Sequence, residues 1–198
     1  MSRYMAFVDG ENLTLRFEAM IKDGRKARLT GDNNVRWPVH HSSGLAWSPA
    51  TIHSLPGAGG AELLRVHYYT TFAGAADEFE QFRVRVSHLV AASFVGSYSS
   101  SVKRSLPVVG RVFHKTKRET KTKSVDINLC VDVLEYTRQN ALDGIVLVTG
   151  DVDYLPLIHA VMRSGKIVIV AALSSGLSTE LKLAADGLIP LDDLYFEN

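Results

Sequence analysis

Residues Gly144 to Lys166 read "GIVLVTGDVDYLPLIHAVMRSGK". Ile145 to Val148 form an unbroken apolar run, and a strand buried on both faces of a parallel sheet reads that way rather than as an alternation. "LPLIHAVMRSG" predicts a helix stopped by Gly165, with Pro156 in its first turn, where proline is tolerated. "KIVIVAAL" follows as another strand. Strand, helix, strand is the repeating unit of a parallel sheet. Asp151 and Asp153 stand immediately past the end of the first strand. Asp153 has a structural use, as the N-cap of a helix beginning at Tyr154. Two like charges at the edge of a core nevertheless require a further reason.

The same alternation extends toward both ends of the chain. Tyr4 to Val8 read as a buried strand ending at Asp9, and "NLTLRFEAMIKDG" sets Leu13, Phe17, Met20 and Ile21 at helical spacing up to Gly24. Glu62 to Phe72, rich in β-branched and aromatic residues, is expected to be a strand. Asp77 to Phe94 is expected to be a helix with Phe79, Phe82, Val86, Leu89 and Val90 on one side. Val108 to His114 give a further strand, and "SVDINLCVDVLEYTRQNAL" a helix. "GLSTELKLAADG" and "LIPLDDL" close the pattern as a helix and a short strand. The expected fold is α/β, a mainly parallel central sheet covered by helices on both faces, in a single domain over residues 1–198. Arg36 to Gly60 depart from the pattern. Pro38, Pro49 and Pro56, with scattered glycines and serines, predict an excursion with little regular structure. A loop that long is uncommon unless functional or disordered. His40, His41 and His53 lie in it, with no carboxylate or thiol at metal-site spacing.

Composition removes several function classes. Lys and Arg total 22 against 21 Asp and Glu, so attraction to an acidic partner must be local. Cys130 is the single cysteine, which excludes an intrachain disulfide framework and a cysteine zinc site built by one chain. In "INLCVDVL" it reads as a buried thiol on a helix face. No apolar run is long enough to span a bilayer, and "MSRYMAFVDG" enters a strand with no signal-peptide pattern, so a soluble cytoplasmic protein is expected. A Walker A loop, a G-x-S-x-G elbow and a glycine fingerprint after the first strand are all missing.

Function in an open parallel sheet collects at the carboxyl ends of the strands, where strand order reverses. Asp9 ends the first strand, Asp151 and Asp153 follow the "IVLV" strand, and Asp126 opens the helix after a charged tract. Taken singly, each has a cap or turn role open to it. As a group they are harder to account for structurally. Two carboxylates about 4 Å apart repel by about 4 kcal/mol at an effective dielectric of 20, and Ser, Thr or Asn would cap a helix without that cost. A divalent cation offsets it. Mg²⁺ and Mn²⁺ favour carboxylate and water ligands, and such an ion makes water a stronger acid and offsets charge on phosphoryl oxygens.

"FVDGENL" (Phe7 to Leu13), "KSVDINLCVDVL" (Lys123 to Leu134) and "VTGDVDYLPLIHAVMRSGKIVIV" (Val148 to Val170), in that order, resemble the NYN domain family of PIN-like ribonucleases. The bacterial branch with the LabA-type proteins is the branch most resembled. The tail "LSTELKLAADGLIPLDDL" is similar to that family's closing helix and strand. The resemblance implies a PIN-like three-layer α/β/α sandwich and cleavage of RNA that depends on Mg²⁺ or Mn²⁺, leaving a 5′-phosphate and a 3′-hydroxyl. Matched by position, Asp9, Asp126, Asp151 and Asp153 resemble the metal-binding and catalytic acids, and Asn12 a polar contact to water or phosphate. Asp132 also matches an acid of the family. Six residues beyond Asp126 on a helix, it turns well away, so it lines the edge of the site or has a packing role. The Arg36–Gly60 excursion is longer than a minimal domain needs.

Lys115, Lys117, Arg118, Lys121 and Lys123 surround one acid, Glu119, and lead directly into Asp126. A solvated loop is the ordinary reading of such a tract. Beside a metal site it would hold phosphates flanking the cut, a contact that positions RNA without reading sequence. Lys103, Arg104 and Arg111 extend the strip. Tyr154, next to the acids, is expected either to stack on a base or to be a half-buried aromatic at a helix start. Trp37 and Trp47 are either a small private core of the excursion or an exposed platform. The expected partner is RNA, as a single strand or structured loop, with no membrane and with self-association left open. Two rivals stand beside a nuclease: a non-catalytic RNA- or protein-binding module, and a metal-dependent phosphatase. The phosphatase ranks lower because the first strand is followed by "VDGEN" and not by a D-x-D pair.

Overall fold

The computed structural model describes residues 2–31, 35–52, 61–91, 106–115 and 124–197. Its framework is a seven-stranded sheet with β1 (Ser2–Asp9) at the centre. On one side of β1 lie β4 (Ala61–Phe72), β6 (Leu106–His114) and β5 (Val90–Ala91). On the other lie β7 (Gly144–Val148), β8 (Ile167–Ala172) and β9 (Gly187–Pro190). All pairings are parallel except β5 on β6.

Period-two alternation along β1 explains the three layers. Tyr4, Ala6 and Val8 enter one core with Leu13, Phe17 and Met20 of α1 (Gly10–Lys22) and with Phe82 and Val86 of α2 (Ala76–Ser87). Met5 and Phe7 enter the other. There they meet Val125, Leu129 and Val133 of α3 (Ser124–Arg138), Leu157, Ile158 and Val161 of α4 (Leu155–Arg163), and Leu181 of α5 (Thr179–Ala184). A mainly parallel sheet flanked by helices on both faces is therefore the observed fold, as expected. Among the described residues no helix is long and apolar enough to cross a membrane.

The excursion differs from its expectation. Val39–His41 (β2) and Leu45–Trp47 (β3) form an antiparallel hairpin, followed by a 3₁₀ turn at Pro49–Ile52. Leu45, Ala46, Trp47 and Ile52 are buried in the α1-side core. Trp47 is thus neither a private core nor a platform: its ring meets Tyr68 edge-on at 5.8 Å, and its Nε1–H donates to the Val90 carbonyl at 2.9 Å. Trp37 packs against the same core, partly buried. The tail joins this layer through a short helix, α6 (Asp192–Tyr195), and the Tyr195 hydroxyl accepts from Ser48 N–H at 3.1 Å and meets Thr51 Oγ1 at 2.7 Å. The second helix also differs, ending at Ser87 and giving way to β5.

Connections leaving β1 and β7 run to opposite faces: α1 covers one, α4 the other. The crevice at the carboxyl ends of these adjacent strands is where a ligand site is expected in an open α/β sheet.

Candidate active site

Asp9 is the last residue of β1 and is only 3% exposed. It caps α1, with Oδ1 accepting from Asn12 N–H at 3.0 Å, while Oδ2 accepts from the Thr149 hydroxyl at 3.3 Å. Asn12 Oδ1 in turn accepts from Gly150 N–H at 3.2 Å. The ends of β1 and β7 are thereby stitched together, and the Asn12 carbonyl is committed to positioning the loop. Gly150 is required there by close approach: a Cβ would stand 2.2 Å from the Gly176 carbonyl oxygen.

Past β7 the order of caps differs from the expectation. Asp151, not Asp153, is the cap: its Oδ1 accepts from Asp153 N–H at 3.1 Å at the head of a 3₁₀ turn, Val152–Tyr154, which α4 continues. Asp151 N–H donates to Thr149 Oγ1 at 3.2 Å. The inserted turn leaves Asp153 exposed and lets Tyr154 point inward. Tyr154 is 2% exposed and its hydroxyl donates to Asp126 Oδ1 at 3.0 Å, so it orients an acid and has no free face for a base. Asp126 reaches this point from the first turn of α3.

The acids share one electrostatic field. Burial pushes the Asp9 carboxyl up to about 7; the Asn12 N–H opposes this, the charges of Asp126 and Glu11 add to it, and the Thr149 hydroxyl opposes it again. Asp126 is also raised, first by burial, against its hydrogen bond from Tyr154, and then by Asp151, Glu11 and Asp153. Asp126 therefore links the group, acting on Asp9 and being acted on by Asp151 and Asp153, and Glu11 acts on both Asp9 and Asp126. Glu11 was missed in the sequence. Its signal was a second acid two residues after Asp9, in the first turn of a helix, where negative charge is favoured.

Among the described residues no three His, Cys, Asp or Glu side chains are gathered closely enough to form a ready metal site. The donor chemistry nevertheless fits a hard divalent cation, since Mg²⁺ is typically held by one or two carboxylates and keeps several waters. The like charges that raise the buried Asp9 carboxyl are relieved by such an ion.

Asp132 lies outside this group. It accepts from the Tyr69 hydroxyl at 2.7 Å and pairs with Arg111 at 3.1 Å, contacts that tie α3 to β4 and β6. Arg111 is committed to that pair. Of the cationic tract, Lys115 lies beside the acids, 3.4 Å from Glu11 Oε1. Lys117, Arg118, Lys121 and Lys123 lie outside the described residues, as do Lys103, Arg104 and His53. His40 is paired with Glu18 at 3.0 Å. Cys130 is half-buried, its thiol pushed up to about 11 by burial and by Asp126.

Comparison with known proteins follows the same lines. The profile of the NYN domain matches residues 3–192. An uncharacterized protein of Methanocaldococcus jannaschii is 38% identical over 71 residues, which cover 36% of this chain and 30% of that protein's length. The crystal structure of a protein of unknown function from Vibrio parahaemolyticus superposes with a TM-score of 0.59 at 16% identity, covering 99% of this chain and 96% of the other. That likeness is one of fold.

Proposed function

The chain belongs to the NYN domain family, and from that premise we propose that it is a metal-dependent ribonuclease that hydrolyses RNA phosphodiesters. The family's members are generally hydrolytic ribonucleases of PIN-like fold that typically use divalent metals. One observation supports the reading for this chain: acids from three separate parts of the sequence meet at the β1–β7 crevice, where the charge of Asp126 acts on the buried Asp9 and the charges of Asp151 and Asp153 act on Asp126.

Asp9, Asp126, Asp151 and Asp153 would hold Mg²⁺ or Mn²⁺. The bound ion supplies Lewis acidity, strengthening water as an acid and offsetting charge on the phosphoryl oxygens. The chain's own residues do the rest. Asn12 and Thr149 fix Asp9, Tyr154 fixes Asp126, and a carboxylate of the group takes the proton from the attacking water. Lys115, and the cations that follow it in sequence, hold the phosphates flanking the cut.

Asp151→Asn removes a charge while retaining an oxygen that can cap the 3₁₀ turn. The expected outcome is loss of cleavage of a labelled single-stranded RNA with an unchanged circular dichroism spectrum. Full activity in purified Asp151→Asn overturns the reading. The looseness of the acid group favours a second reading, a module that holds RNA without cutting it. RNA binding with no Mn²⁺-stimulated, EDTA-sensitive cleavage is its outcome. Hydrolysis of a phosphomonoester in place of RNA, in the same assay, identifies a phosphatase.

A further inference from the structure

Arg16 stands on α1 one turn beyond Asn12, the residue whose side-chain carbonyl accepts from Gly150 N–H and joins the ends of β1 and β7. Helix side chains lean toward the N-terminus, so Arg16 reaches back to the rim that carries the acids. It borders the same small cavity as Asn12, Thr149 and Gly150. Its stem lies against the 3₁₀ turn Ser174–Gly176 that follows β8: a Cβ on Gly176 would stand 2.2 Å from Arg16 Nε and 2.4 Å from Cδ. Gly176 is not among the glycines with positive φ, so no left-handed backbone calls for glycine there. The close approach of Arg16 does. The Ser175 hydroxyl donates to the Arg16 carbonyl at 3.4 Å, a second tie between turn and helix. On its other side Gly176 abuts Gly150, the residue before Asp151.

Arg16 is exposed, and among the described residues it makes no ion pair and its guanidinium donates no hydrogen bond. A guanidinium is planar, stays charged and matches two oxygens of a phosphate at once. Laying the stem along the turn removes part of the rotamer freedom that binding would otherwise cost. The rim needs such a group. Asp9, Asp126, Asp151, Asp153 and Glu11 repel an incoming polyanion, and a divalent cation offsets only part of that charge. The sheet order is β6, β4, β1, β7, β8. Lys115, following β6, stands on one side of the acids, and Arg16, against the turn following β8, stands on the other.

We propose that Arg16 is a phosphate-binding residue of the reaction: it takes the backbone phosphate on the β8 side of the cut, opposite the flank held by Lys115, so that the substrate backbone crosses the rim from β6 to β8. The inference rests on the ribonuclease reading and adds a specificity determinant to it. A substrate without a phosphate at that linkage loses the contact, so the enzyme prefers chains that extend past the cut on that side. The contact is remote from the reacting atoms and equal in ground and transition states, so it acts on KM and leaves kcat.

Arg16→Gln keeps most of the stem and removes the charge, Arg16→Lys keeps both, and Gly176→Ala crowds the side chain off the turn. Each is made in the wild type for kinetics and in Asp151→Asn for binding, so that RNA is held and not consumed. Arg16→Gln is expected to raise KM about tenfold with kcat unchanged and to weaken binding about tenfold. The slope of log affinity against log salt should fall by about 0.7. Arg16→Lys should recover most of the loss. Gly176→Ala should share it, with no further loss when combined with Arg16→Gln. Oligonucleotides carrying one uncharged methylphosphonate at successive linkages identify the phosphate. The linkage whose neutralisation weakens binding to the Asp151→Asn protein about tenfold should have no effect once Arg16→Gln is added. Arg16→Gln and Arg16→Lys behaving alike, or a methylphosphonate profile unchanged by Arg16→Gln, overturns the proposal and makes Arg16 a cover for the turn; the ribonuclease reading then stands if the wild type cuts. Failure of the wild type to bind or cut RNA removes both. Melting curves check the fold, and the methylphosphonate profile, read on the Arg16 variants alone, decides the matter even if Gly176→Ala disturbs the turn.

Discussion

His67, midway along β4, has both ring nitrogens buried with no hydrogen-bond partner among the described residues. Its ring lies flat on Phe7, with centroids 5.2 Å apart and planes 7° from parallel, and is 5.2 Å from Tyr136. Burial, then the Arg65 charge, lowers its pKa to about 4, with Asp132 opposing and Arg111 adding. The sign follows directly. An unfolded histidine takes its proton near pH 6.5 and the folded one does not until about pH 4. The unfolded state therefore binds more protons in that window, and stability falls as pH drops through it. Asp9 works in the opposite direction, because its raised carboxyl favours the fold as pH falls. Comparison with a variant removes that common contribution. His67→Phe keeps the ring stack and removes two unsatisfied nitrogens. It is expected to raise stability at pH 7 by about 1 kcal/mol, and the gain should widen on the order of 2 kcal/mol by pH 4.5. Urea titrations of both proteins at the two pH values check this, and a gain that shrinks with acid contradicts it.

At the level of elements, the β2–β3 hairpin shows where packing overrides composition. Trp47 fills the space between Tyr68, β5 and the tail, and Tyr195 ties the following turn to the C-terminal helix. Trp47→Ala should therefore cost about 3–5 kcal/mol, seen as a lower urea midpoint for the whole sheet rather than a separate hairpin transition. A change below 1 kcal/mol would mean that the hairpin is an appendage. Nothing local in "VHHSSGLAW" announces this, because two three-residue strands are too short for a period and the flanking Pro, Gly and Ser signal a loop. The β7–α4–β8 unit was legible for the opposite reason: a continuous apolar run, a helix with an early proline and a Gly165 stop all agree. β5 was absorbed into the preceding helix because two residues carry no pattern. The placement of Asp9, Asp151 and Asp153 at or just past strand ends was legible, since strand ends can be read in sequence. Their supports were not. Tyr154 and Asp126 are 28 residues apart and meet only because α3 and α4 pack together, and the one-turn 3₁₀ insertion that moves the cap from Asp153 to Asp151 leaves no trace in periodicity.

For the molecule as a whole, the acid group is a cost to folding that a cation would lift. Asp9 is buried among like charges, and its carboxyl is pushed up to about 7, so at neutral pH the native state carries a penalty that the unfolded chain lacks. A ligand that binds only the folded protein stabilises it by about 2.7 kcal/mol at a hundred times its dissociation constant, and a domain of this size gains roughly 2–4 °C per kcal/mol. Saturating Mn²⁺ is accordingly expected to raise the melting temperature by roughly 5–10 °C. Asp9→Asn keeps an oxygen for the Asn12 N–H and discards the charge. In EDTA it should melt above the wild type, by an amount worth about 1–3 kcal/mol, and should lose most of the Mn²⁺ response along with cleavage. Calorimetry of both proteins with EDTA and with Mn²⁺ distinguishes the alternatives. A variant that melts below wild type in EDTA would make Asp9 a plain helix cap. An equal Mn²⁺ shift in both proteins would place the ion elsewhere on the surface.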